Sequence, residues 1–150
     1  MPNGSTVFVD TNVLLYAVDP RDPHKQQAAQ RWIERCWQRD CGRLSTQVLN
    51  EMYVNLLRLA PALGAEPARR MVREYRAWRP WIVDDDTVDL AWALQDGLSI
   101  HYWDALMVAA AQQQGCTLLL TEDLQHGQLI DGLRIVNPCL AGPDILDATA

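Results

Sequence analysis

Short apolar runs alternate with longer segments of helical periodicity along this chain, and that alternation limits which folds it can adopt. Residues 6–9 and 116–120 are typical of buried strands, and residues 81–83 and 133–136 are shorter candidates. Between these runs, apolar residues recur every three or four positions, which predicts helices. Strands that alternate with helices indicate a parallel sheet covered by helices, so the sequence predicts an α/β protein.

The helical segments are separated by residues that begin or end helices. Five helices are predicted: from Pro23 until Gly42, from a cap at Ser45 or Thr46 through Arg58, from Pro67 through Trp78, from caps at 84–87 until Gly97, and from Tyr102 to Gln114 before Gly115. No repeat, linker or low-complexity tract interrupts this pattern. Residues 1–150 are therefore predicted to form one domain, with a core over about 7–138 and a loose C-terminal tail over 139–150.

Several classes of protein are excluded by what the sequence lacks. No apolar run approaches the roughly 18 residues that a membrane-spanning helix needs, and residues 1–5 lack the basic and apolar regions of a signal peptide. The cysteines Cys36, Cys41, Cys116 and Cys139 form no pair with the spacing of a zinc site. We therefore expect a cytoplasmic protein with free thiols and no membrane contact.

Four acidic residues fall where an α/β fold can bring them together. Asp10 ends the first predicted strand and Asp123 lies just beyond the strand over 116–120, so both belong to the edge of the sheet where ligands bind. Glu51 lies beside the apolar stripe of its helix, and Asp104 lies in the first turn of a helix that is apolar all round. The alternative is that these are ordinary turn residues and helix-start residues.

Carboxylates that are buried together need a partner of opposite charge. The chain has one lysine, Lys25, and its acidic half, residues 80–150, has a single arginine against eleven acidic residues. A divalent cation is then the natural partner, and oxygen ligands suit Mg²⁺ or Mn²⁺. Such a site can activate water and neutralise the charge that develops on a phosphodiester, so the sequence favours metal-assisted phosphodiester hydrolysis.

Motifs around these acids resemble those of the PIN-domain ribonucleases, and the chain length is similar to the VapC-type toxins among them. The resemblance extends from Val7 to about Pro138, and it is carried by Val9-Asp10-Thr11-Asn12-Val13-Leu14, Tyr102-Trp103-Asp104-Ala105, Leu120-Thr121-Glu122-Asp123-Leu124 and the helical acid Glu51. It implies a three-layer α/β/α sandwich around a mostly parallel central sheet. It also implies a toxin that cleaves RNA, is blocked by a cognate antitoxin protein, and forms a homodimer.

The same resemblance implies roles for individual residues. The acidic quartet maps onto Asp10, Glu51, Asp104 and Asp123, and supporting polar residues map onto Asn12 and Thr121. Our hypothesis is that Asp10, Asp104 and Asp123 hold Mg²⁺ or Mn²⁺, while Glu51 orients or deprotonates the attacking water. Two other functions stay open, a PIN-like module that binds RNA or protein without turnover and a housekeeping RNA-processing nuclease.

The net charge of −6 conceals a basic segment, since residues 21–79 hold twelve of the thirteen basic residues. Two arginine stripes follow helical spacing, one formed by Arg31, Arg35 and Arg39 and the other by Arg69, Arg73 and Arg76. We expect RNA contact from at least one stripe; a solvated helix face or a surface for an acidic antitoxin is the alternative. The six tryptophans are assigned to the core or to a dimer interface in preference to base stacking.

Overall fold

The computed structural model describes residues 4–147. Over that range the strands are β1 (Val7–Val9), β2 (Gly42–Arg43), β3 (Leu118–Leu120), β4 (Leu129–Ile130) and β5 (Leu133–Val136). The α-helices there are α1 (Thr11–Tyr16), α2 (Pro23–Arg39), α3 (Thr46–Leu59), α4 (Ala65–Glu74), α5 (Asp85–Leu98) and α6 (Tyr102–Gln113). Short 3-10 helices cover Pro61–Leu63, Tyr75–Trp78 and Pro143–Leu146. Among the described residues, no helix combines the length and the apolar character needed to cross a membrane.

The five strands form one sheet in the order β2-β1-β3-β5-β4, and only the β4–β5 pair is antiparallel. Val7, Phe8 and Val9 of β1 are all fully buried. Because successive side chains of a strand point to opposite faces, helices must cover both faces of the sheet. The predicted α/β class with a mostly parallel central sheet is therefore confirmed, as is its three-layer arrangement.

One predicted strand is wrong. Residues 81–83 contribute a single isolated bridge between Trp81 and Ser45, and Ile82 is 73% exposed. The edge strand that pairs with β1 is β2, which was not predicted, and Gly42 of β2 pairs with Val7. The chain leaves β2 for α3 at Thr46, so the segment 81–83 meets only the end of that edge strand.

One helix begins where predicted, and several other boundaries differ from the prediction. α3 begins where predicted because the Ser45 side chain accepts a hydrogen bond from the Val48 backbone. The helix predicted from Pro67 starts earlier, at Ala65, and passes into a 3-10 helix at Tyr75. Gly97 lies inside α5 instead of ending it. α1, which follows Asp10 directly, was not predicted.

The prediction of a loose C-terminal tail is wrong over residues 139–147. The buried Trp32 indole on α2 donates a hydrogen bond of 2.8 Å to the Ala141 carbonyl. Pro143 and Leu146 are buried, and Arg35 of α2 forms ion pairs with two aspartates of this segment. The tail therefore packs on α2. The last residues of the tail, 148–150, lie outside the described residues. Residues 1–3, which belong to the segment that argued against a signal peptide, also lie outside them.

A contact in β2 leads to a stability prediction. A Cβ added at Gly42 would lie 2.7–2.8 Å from ring atoms of Trp78, and that ring is enclosed by Trp37 and Tyr75. Because the ring has no room to shift, Gly42→Ala should lower the free energy of unfolding by roughly 1–3 kcal/mol.

Urea denaturation measures this effect, and Gly97→Ala is the matched control. Gly97 lies in α5 with nothing within 4 Å of an added Cβ, so its replacement should stabilise the protein by about 0.5–1 kcal/mol. Equal unfolding midpoints for the two variants would contradict the packing argument.

Candidate active site

Asp10 ends β1 and is held at the carboxyl edge of the sheet. Its backbone N–H donates to the Leu120 carbonyl of β3 at 3.0 Å, and the chain then turns into α1. The side chain is only 3% exposed. Its Oδ2 accepts a hydrogen bond of 2.6 Å from the Thr121 hydroxyl, which follows β3. The parallel pairing of β1 with β3 thus fixes the position of this carboxylate.

Glu51 reaches the same edge from α3, and two donors hold its carboxylate. The Thr11 hydroxyl donates to Oε1 at 2.7 Å, and the Gln47 amide donates to Oε2 at 3.2 Å. Sequence reasoning missed both donors. A signal for them was present, because Thr11 follows Asp10 directly and Gln47 lies one helical turn before Glu51.

Asp123 and Asp104 complete the acidic group. The Asp123 backbone N–H donates to the Thr121 hydroxyl at 3.0 Å, which shapes the turn after β3. The Asn12 amide donates to Asp123 Oδ2 at 3.1 Å. Asp104 is half-buried in the first turn of α6. Asn12 and Thr121, predicted as supporting residues, therefore each contact a carboxylate of the quartet.

One pocket of about 270 Å³ contains all four predicted acids. Its lining residues are Asp10, Thr11, Asn12, Leu15, Glu51, Asn55, Trp103, Asp104, Met107 and Asp123. Residues that are far apart in the chain, on β1, α3, α6 and the turn after β3, meet here. None of the arginines proposed to contact RNA lines this pocket.

The carboxylates are close enough to affect one another's ionisation. Burial raises the pKa of Asp10 to about 7; the hydrogen bond from Thr121 opposes this rise, and the charges of Asp123, Glu51 and Asp104 add to it. Burial and neighbouring negative charge also raise the pKa of Asp104 and of Asp123. Ion pairs found within residues 4–147 include none of these four acids. The pocket thus concentrates negative charge without a cationic side chain.

The donor set of the pocket fits a hard divalent cation such as Mg²⁺ or Mn²⁺, because it consists of carboxylate oxygens with amide and hydroxyl groups beside them. Three of the four carboxylates accept hydrogen bonds from side chains of the chain itself. Across the described part of the chain, no three acidic, thiol or imidazole side chains stand together as a ready set of metal ligands. The fit therefore rests on the chemistry of the donors.

The two arginine stripes have different surroundings. Arg35 and Arg39 of α2 pair with aspartates of the C-terminal segment, and the Arg31 guanidinium lies 2.9 Å from where a Cβ on Gly142 would be. Arg69, Arg73 and Arg76 line an open groove beside α3. We call this the arginine groove. Its other lining residues are Thr46, Leu49, Asn50, Tyr53, Val72, Pro80 and Ile82. Arg69 and Arg73 also pair with Glu66 of α4, and Arg76 forms no ion pair among the described residues.

Comparisons with known proteins agree with this architecture. The family model of the PIN domain matches residues 7–129. Among solved structures, a toxin–antitoxin complex from Klebsiella pneumoniae contains a similar chain, with a TM-score of 0.58 and 20% identity over 89% of this chain and 98% of that one. VapC20 of Mycobacterium tuberculosis, a toxin that cleaves the sarcin–ricin loop, has a TM-score of 0.57 and 21% identity over 76% of this chain and 87% of its own. No curated protein sequence matches significantly.

The raised pKa of Asp10 leads to a prediction about stability and pH. A carboxyl with a folded pKa of about 7 and an ordinary value when unfolded binds more protons in the folded state between about pH 4 and pH 7. Its ionisation therefore lowers the free energy of unfolding as pH rises through that range. In chelator, Asp10→Asn should be more stable than the natural chain by roughly 2–4 kcal/mol at pH 8 and nearly equal to it at pH 4.

Denaturant unfolding at a series of pH values measures this difference. Asp84→Asn is the control of opposite sign. Hydrogen bonds from the Thr87 backbone and side chain lower the pKa of Asp84, so its carboxylate stabilises the folded state as pH rises. Asp84→Asn should therefore become less stable than the natural chain as pH rises. A constant stability difference for Asp10→Asn at all pH values would show that burial does not penalise the Asp10 charge.

Proposed function

The chain belongs to the PIN-domain family, and from that premise we propose that it is a metal-dependent endoribonuclease and the toxin of a toxin–antitoxin pair. The observation that carries the proposal is the single pocket that gathers Asp10, Glu51, Asp104 and Asp123 without a cationic side chain. Two structural neighbours support it, one taken from a toxin–antitoxin complex and the other a toxin that cleaves the sarcin–ricin loop. The substrate is RNA, and the reaction is hydrolysis of a phosphodiester.

In this mechanism Asp10, Asp104 and Asp123 would hold Mg²⁺ or Mn²⁺, directly or through water. A divalent cation in such a site polarises the phosphoryl group and lowers the pKa of a bound water. The chain's own contribution is to fix the ligands before substrate arrives. A hydrogen bond from Thr121 orients the Asp10 carboxylate, and one from Asn12 orients the Asp123 carboxylate.

Glu51 is the general base of the proposed reaction. It accepts a proton from the attacking water as that water's oxygen bonds to phosphorus, and the leaving oxygen takes a proton from solvent as its bond to phosphorus breaks. Hydrogen bonds from Thr11 and Gln47 hold both carboxylate oxygens of Glu51. These donors orient the base, and Thr11 and Gln47 are therefore positioning residues in this proposal.

A cognate antitoxin is the proposed protein partner, since one structural neighbour was solved in a toxin–antitoxin complex. The proposal places the protein in the cytoplasm, where RNA and the antitoxin are both present. The homodimer implied by the family resemblance remains a prediction. Sedimentation of the purified chain, alone and with a co-expressed antitoxin, measures both assemblies.

Catalysis tests the proposal directly. Asp104→Asn and Asp10→Asn should each reduce Mg²⁺-dependent cleavage of structured RNA by more than about 100-fold, because each removes a negatively charged ligand. Replacing residues that only contact metal ligands commonly lowers metal affinity or activity by about 10- to 100-fold, and a ligand should matter more. Cleavage is measured on gels, with chelator as the metal-free reference.

Asp96→Asn, an exposed change on α5 outside the pocket, should retain activity. Full activity of either pocket variant would exclude the metal-site mechanism. RNA binding without any cleavage by the natural chain would indicate a binding module.

The surroundings of the arginines predict which stripe contacts RNA. We expect Arg76→Ala to weaken RNA binding similarly for all sequences and to lower the slope of log affinity against log salt by about 1, because Arg76 lines the arginine groove and forms no ion pair among the described residues. Arg73→Ala should lower the slope less, because Arg73 pairs with Glu66 at 3.2 Å. Arg35→Ala should leave the slope unchanged, because Arg35 is paired with the C-terminal segment. Fluorescence anisotropy between low and moderate salt measures the slopes. Affinity that does not fall with salt would contradict phosphate contact by the arginine groove.

A further inference from the structure

Trp103 is an exposed aromatic side chain at the edge of the acidic pocket. It is 61% exposed, whereas Trp32 and Trp78 are completely buried in the core. Trp103 is therefore not a core residue, and of the two uses assigned to the tryptophans only the dimer interface, which stays a prediction, is open to it. Leaving so large an apolar surface in water is unfavourable, and a flat aromatic face beside a polar site is suited to stacking on a ligand ring.

Trp103 is held in place by one contact to its ring and one to its backbone. Tyr102 packs against it edge-to-face, with ring centroids 5.1 Å apart. The Trp103 carbonyl accepts a hydrogen bond of 3.1 Å from the Gln47 amide, and that amide also donates to Glu51. The next residue in the chain is the pocket acid Asp104. A group that stacks on Trp103 therefore lies beside the carboxylates and at a fixed position relative to the proposed base.

Trp103 also lies where two pockets meet. A second pocket shares Glu51 and Trp103 with the acidic pocket, and it shares Thr46 and Asn50 with the arginine groove. The surface from the acidic pocket to the arginines is thus continuous. Along it the chemistry changes from carboxylates to an indole face and then to guanidinium groups.

We propose that Trp103 is a stacking platform for one base of a single-stranded RNA segment, next to the phosphate that is cleaved. This inference rests on the proposed function. The order of groups along the surface matches the order of groups along a nucleic-acid strand. The cation proposed for the carboxylates would bind the phosphate that is cleaved. The indole then stacks on the neighbouring base, and the arginines bind phosphates further along the strand. Stacking accepts every base, so Trp103 adds affinity and fixes the register of the strand.

The first experiment measures binding of a fluorescein-labelled single-stranded RNA by anisotropy, with Ca²⁺ in place of Mg²⁺ and the intact RNA verified on a gel. Trp103→Ala should bind roughly 10- to 100-fold more weakly than the natural chain, whereas Trp103→Phe and Trp103→Tyr should keep most of the affinity. The matched control is Trp92→Ala, because Trp92 is 55% exposed on α5 and lines none of the three pockets. It should bind like the natural chain.

A second experiment separates stacking from a structural effect of the substitution. It uses a series of RNAs, each of which lacks the base of one nucleotide. The natural chain should bind one RNA of the series more weakly than the intact RNA, and Trp103→Ala should bind that RNA and the intact RNA with equal affinity. Thermal unfolding and circular dichroism verify that the variants are folded. Equal affinity of Trp103→Ala and the natural chain, or a base dependence that survives in Trp103→Ala, would overturn the proposal.

Two other outcomes have distinct meanings. If Trp103→Ala changes the oligomeric state in sedimentation while the missing bases have no effect, Trp103 is a protein contact and the stacking proposal is wrong. If the natural chain cleaves RNA in Mg²⁺ but Trp103→Ala binds and cleaves equally well, only the stacking proposal fails. If the natural chain neither binds nor cleaves RNA, the proposed function itself fails.

Discussion

The parallel pairing of β1 with β3 is the constraint on which the site depends. Val9 is paired with Leu120, so the residues that follow them, Asp10 and Thr121, are neighbours at the sheet edge and share a hydrogen bond of 2.6 Å. A slip of one residue would reverse the side-chain faces of β1 and move Asp10 away from Thr121. The complete burial of Val7, Phe8 and Val9 opposes any such slip. The hydrophobic core of the sheet thereby sets the position of a catalytic candidate.

The same core must also stabilise a local concentration of negative charge. Burial and neighbouring carboxylates both disfavour ionised Asp10, and the hydrogen bond from the Thr121 hydroxyl opposes them. Ionisation of Asp10 therefore lowers the free energy of unfolding, and the cation that we propose for this pocket would offset that cost. Such local cost is typical of functional sites, where groups are arranged for binding rather than for folding.

The sequence predicted those features that depend on local pattern and on the general geometry of α/β folds. Asp10 and Asp123 follow apolar strands, and strand ends of a parallel sheet converge, so their meeting was foreseeable. The edge strand was not foreseeable, because β2 is only two residues long and one of them is Gly42, so it shows no apolar pattern; its pairing with β1 places it in the sheet. Exposure of Trp103 was missed because helical spacing does not reveal what lies opposite a helix.

The strand order has a consequence for the way the protein is synthesised. β1 is made before its partner β3, and the hydroxyl that contacts Asp10 lies 111 positions further along the chain. A nascent chain that ends before β3 lacks the central strand of the sheet and Asp123, so it cannot bring Asp10 and Asp123 together. Contacts between residues so far apart in sequence also form late in folding. The chemistry proposed for the pocket is thereby withheld until β3 and the turn after it have been made, and a product truncated before β3 lacks the assembled acidic site.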